Sequence, residues 1–113
     1  MESQLTCEYC YACGEPIALI EVEETDRPTP KPAPVTAELA RLARIKAYSV
    51  AYAVDETGED IKHFHVRRIE PYDERVEFMS PEDYFNFLLS LRSGHYNESG
   101  HFGDHLRAAH KTP

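Results

Sequence analysis

Three cysteines recur at one spacing near the start of the chain, Cys7-x2-Cys10-x2-Cys13, and Gly14 follows the last of them. Two thiolates three residues apart, with glycine behind them, can form a knuckle: the chain bends tightly and both sulfurs turn toward one centre. Glycine tolerates the backbone conformation such a bend needs. An odd number of cysteines argues against a disulfide framework and for metal or free-thiol chemistry in a reducing compartment. The expectation is half of a structural zinc site.

A closed tetrahedral site needs two more ligands, and with no second cysteine pair these must be histidines. His105 and His110 are five positions apart, at the upper end of the spacing used by paired histidine ligands. The favoured set is therefore Cys10, Cys13, His105 and His110, which would tie the two ends of the chain together. Cys7, His63, His65 and His101 are the alternative ligands. About ninety residues separate the cysteine pair from the histidine pair, far more than in a compact zinc finger.

A second constellation is Lys62-His63-Phe64-His65-Val66-Arg67-Arg68. On a strand, His63, His65 and Arg67 share one face and Phe64 and Val66 the other. Two readings stay open: a solvated strand face, or an open metal site for hydrolysis or nuclease chemistry at His63 and His65. A third set, Arg41, Arg44, Lys46, Arg67 and Arg68, would contact nucleic acid if the fold gathered it on one face. No glycine-rich phosphate loop, Gly-x-Ser-x-Gly elbow or His-Glu-x-x-His helix is present, so no residue is assigned a catalytic role.

Charge sets further bounds. The 113 residues include 12 Lys and Arg against 20 Asp and Glu, a net charge of −8 that disfavours indiscriminate binding to polyanions. The charge comes in blocks: seven acids and no base in residues 1–26, five bases against Glu38 in 27–47, and six acids against Arg75 in 70–91. A folded surface made from such blocks carries distinct acidic and basic faces. Residues 1–6 have neither a basic start nor an apolar run, and no stretch approaches a membrane span, so the expected location is cytoplasmic.

The elements that must position these residues read as follows. Residues 1–26 form a cysteine-bearing segment ending in a strand over 17–23. Residues 27–34 alternate proline with other residues and read as an extended linker. The body, 35–113, opens with a helix capped by Thr36, with Leu39, Leu42 and Ala43 on its apolar face. Residues 48–54 and 61–69 form a hairpin around Gly58. A short strand over 76–79 precedes a helix started by Ser80 and Pro81 and ended by Gly94. Phe102, Leu106 and Ala109 suggest a short last helix. The expected fold is α+β: a mostly antiparallel sheet of three to four strands, two to three helices and a cysteine-rich N-terminal knuckle. For function, the favoured expectation is a small non-enzymatic zinc-binding interaction module, a regulator, adaptor or inhibitor of a protein or nucleoprotein partner. The metal-dependent hydrolase and the direct nucleic-acid binder are the alternatives.

Overall fold

The computed structural model describes residues 3–99. The fold is α+β, with five strands and two helices among the described residues. β1 (Ser3–Tyr9), β2 (Pro16–Glu24), β3 (Lys46–Val54), β4 (Ile61–Glu70) and β5 (Glu77–Met79) lie side by side in chain order. β2 and β3 are parallel; the other three pairs are antiparallel. α1 (Pro34–Ala43) makes the crossover between the parallel pair, and α2 (Pro81–Ser99) follows β5. A parallel pair needs such a crossover, whereas the antiparallel pairs need only turns.

Several elements follow the local signals. In the β3–β4 hairpin, Asp55 and Gly58 close the turn: Gly58 N–H donates to the Asp55 carbonyl at 3.0 Å and Gly58 has φ 75°. Ser80 caps α2, its hydroxyl accepting the Asp83 N–H at 3.0 Å, and Glu82 and Asp83 sit in the first turn, where the helix dipole favours acids.

The sheet is mostly antiparallel, as expected, with one parallel pair where β2 enters beside β3. Other expectations are corrected. Among the described residues the sheet has five strands rather than three or four, because Cys7 and its neighbours form β1 against β2, with Cys7 opposite Leu19. α2 continues through Gly94 to Ser99, so Gly94 is not its terminus. α1 begins at Pro34 behind Ala33, with no side-chain cap; Thr36 instead lies buried and donates to Glu21 Oε2 at 3.4 Å. The helix suggested by Phe102, Leu106 and Ala109 falls outside the described residues.

The helices cover opposite faces of the sheet. α2 packs Tyr84, Phe87, Leu88 and Leu91 onto Ala18, Ile20, Tyr48, Val50, Phe64, Val66 and Met79. Aromatic contacts organise this side: Phe64 stacks on Tyr84 with centroids 3.9 Å apart, and Phe87 meets Tyr48 edge-on at 4.9 Å. On the other face, Ala33 and Ala40 pack against Ala47 and Ile69. α1 is thus turned opposite to the expected orientation. Its sheet-facing residues are small, and Val35, Leu39 and Leu42 are 72%, 48% and 65% exposed. Methyl-sized groups on both helix and strand permit close approach and dense packing, while leucines in the same place would hold the layers apart.

The proline-rich stretch 27–34 crosses this α1 face. Pro30 is fully buried, and the Lys31 carbonyl accepts the buried Ser49 hydroxyl at 2.7 Å. Arg27 reaches back to Glu23 Oε1 at 2.8 Å, and Lys31 Nζ donates to Ser3 Oγ at 2.7 Å. The cysteine-bearing segment and the body therefore share one sheet.

Candidate metal centre

The β1–β2 connection is the cysteine turn. Cys10 N–H donates to the Glu15 carbonyl at 2.9 Å, and Gly14 N–H returns to the Cys10 carbonyl at 2.7 Å. Gly14 adopts φ 77°, a left-handed conformation that would strain a side-chain-bearing residue, and this closes the loop. Cys10 is buried and Cys13 exposed, yet their thiols share a hydrogen bond. The backbone N–H of Glu15 also bonds the Cys13 sulfur and favours its thiolate; desolvation and the neighbouring Cys10 thiol outweigh it, so the Cys13 pKa is raised. A divalent cation held by Cys10 and Cys13 would favour both thiolates, its positive charge taking the place of the thiol protons. Cys7 stands apart: it lies in β1, exposed, with its thiol 3.7 Å from the Glu8 carbonyl.

α2 docks on this turn. Arg92 Nη2 donates to Glu8 Oε2 at 3.2 Å and to the Tyr11 hydroxyl at 3.0 Å, and its guanidinium lies 4.5 Å from the Tyr11 ring centroid. Tyr11 in turn meets Tyr9 edge-on at 5.0 Å. More than eighty residues separate Arg92 from Glu8 and Tyr11, and no local pattern announces the contact. Ser99 stands seven residues past Arg92, about 10 Å along the helix. From Ser99, six further residues lead to His105, an extended reach of at most about 20 Å.

Among the described residues, no three or more His, Cys, Asp or Glu side chains gather as a metal site. The pair Cys10 and Cys13 comes together. His101, His105 and His110 lie outside the described residues. His63 and His65 lie on β4, separated from β1 by two strands, about 14 Å. Their rings are 5.1 Å apart, and Phe78 packs on both, at 5.1 Å from His63 and 5.5 Å from His65. Burial first, and His63 second, lowers the His65 pKa, so that imidazole favours its neutral form.

The basic residues divide. Arg41, Arg44 and Lys46 line a cavity of about 890 Å³ at the sheet end, together with the apolar Ile17, Tyr48 and Phe87 and the acidic Glu15 and Glu70. Arg67 lines a smaller cavity of about 290 Å³ beside Lys31 and Tyr72. Arg68 instead binds the Pro71 carbonyl at 2.9 Å and pairs with Asp73 at 3.8 Å. Arg75 pairs with the same Asp73 at 2.7 Å; chiefly through this partner, the Asp73 carboxyl is held down at about 2.

No protein-family model, curated protein or solved structure matches the chain. No helix among the described residues is long and apolar enough to cross a membrane.

Proposed function

We propose that the chain is a small interaction module built around a structural zinc site, with Cys10 and Cys13 as one half and His105 and His110 as the other. The observation that carries this reading is the cysteine turn, whose two backbone hydrogen bonds and left-handed Gly14 bring two thiols together. The docking of α2 on that turn through Arg92 supports the long-range half, because Ser99 stands about 10 Å along the helix from Arg92 and the six residues from there to His105 are enough chain to span that distance. In this reading the metal ties the chain's ends to the sheet and the surface engages a protein or nucleoprotein partner as regulator, adaptor or inhibitor. The net charge of −8 favours partners met through local complementarity over bare polyanions.

The test is elemental analysis of the purified full chain with matched variants. One zinc per chain is expected in the wild type and in a His63→Ala/His65→Ala control. It is expected to be lost in Cys10→Ser and in His105→Ala/His110→Ala, together with thermal stability. A wild type without stoichiometric zinc, or tail variants that retain it, would overturn the assignment. A direct nucleic-acid contact keeps one supporting observation, that Arg41, Arg44 and Lys46 line one cavity. Binding that weakens steeply with salt, and in Arg44→Gln/Lys46→Gln, would select it.

A further inference from the structure

Among the described residues, α1 turns its large side chains away from the sheet it packs on. Thr36 and Ala40 are buried toward the sheet, while Val35, Leu39 and Leu42 form an outward apolar stripe. Their spacings of four and then three residues are those of a helix–helix seam. Beside the stripe, Glu38 and Arg41 form an ion pair, with Arg41 Nε 3.0 Å from Glu38 Oε2. The flank is therefore neutral on a chain whose net charge is −8.

We propose that this stripe is a self-association surface, and that its partner is α1 of a second copy, packed antiparallel about a twofold axis. Such an axis through the stripe's midpoint sets Val35 of each copy against Leu42 of the other and joins the two Leu39 side chains at the centre. It also lays Glu38 of each copy beside Arg41 of the other, so the flanking charges alternate rather than repel. An interface of this kind is self-complementary, as a twofold contact must be. The selection of a second copy over an unlike partner rests on that match in both apolar spacing and charge. Three exposed side chains a copy bury less than the roughly 1,200 Å² typical of stable complexes, so the dimer is weak and reversible. Apolar contact drives it while two acidic chains repel at long range, so added salt tightens it. The inference uses α1 alone and is independent of zinc.

Sedimentation velocity on the full chain, from about 1 to 200 µM at low and high salt, tests it. The wild type is expected to pass from monomer to dimer across this range, at lower concentration in high salt. Leu42→Glu and Val35→Glu are each expected to raise the dissociation constant at least about tenfold with an unchanged far-UV circular dichroism spectrum, since both positions are largely exposed. Glu38→Arg is expected to weaken the dimer and Glu38→Arg/Arg41→Glu to restore it. A wild type monomeric throughout would leave the stripe to an unlike partner and overturn the proposal. A dimer indifferent to both glutamate variants, or a charge pair that does not restore, would overturn it equally.

Discussion

Replacing Ala40 by Leu is expected to destabilise the chain more than trimming Leu42 to Ala, the reverse of what residue size suggests. Ala40 is fully buried and packs with Ala33, Ala47 and Ile69. A leucine adds three carbons where helix and sheet meet through methyl groups, and overpacking of this kind costs about 2 kcal/mol. Leu42 is 65% exposed, so roughly a third of its extra apolar surface is at stake. At about 0.8 kcal/mol per carbon this is about 0.8 kcal/mol, reduced by the slightly better helix propensity of alanine to about 0.6 kcal/mol. For a 113-residue domain the first change lowers the melting temperature by about 8 °C and the second by about 2 °C. Urea unfolding followed by far-UV circular dichroism, at about 1 µM to keep the chain monomeric, measures both. If Leu42→Ala proves the more damaging change, α1 is rotated by about half a turn and the orientation argued from its buried alanines is wrong.

Three further outcomes follow from the packing and the charges. Phe64→Ala removes a buried ring stacked on Tyr84 and tilted against Tyr52, and should cost about 3–4 kcal/mol in the same urea assay; a loss below about 1 kcal/mol would contradict the stack. The depressed His65 pKa means that the unfolded chain takes up a proton first as the pH falls below about 6.5. This contribution to stability is present above that pH and lost below it. His63→Gln should raise the His65 midpoint in an NMR titration, and an unmoved midpoint would remove His63 as a cause. Asp73, held at about 2 chiefly by Arg75, contributes stability that is present above about pH 4 and lost as the pH falls toward 2. Arg75→Gln should move the Asp73 carboxyl resonance midpoint upward toward its ordinary value, and failure to move would show that Arg68 alone suffices.

The hairpin around Gly58, the Ser80 cap and the cysteine turn were all legible from residue type and spacing. Each is set by backbone angles and hydrogen bonds within a few positions, so the information is local. The alternation of His63, Phe64, His65 and Val66 also placed their faces correctly, with Phe64 and Val66 in the core. What spacing could not settle was which apolar side of α1 meets the sheet. Val35, Leu39 and Leu42 have the stronger hydrophobic signal, yet Thr36 and Ala40 lie inward. The β3 residues opposite, Ala47 and Ser49, are small and buried, and dense packing brings small groups together across that layer.

By itself, then, the sequence determined the chemistry available at the cysteine cluster: two thiols three apart with a glycine that permits the bend. The tertiary structure decided its setting. It drew Cys7 away into an edge strand, paired the cysteine-bearing segment with the body through parallel β2 and β3, and carried α2 past Gly94 so that Arg92 rests on Glu8 and Tyr11. The reason is physical. A turn depends on its own few residues, whereas strand pairing and helix docking depend on surfaces that meet only after the whole chain has collapsed around its core.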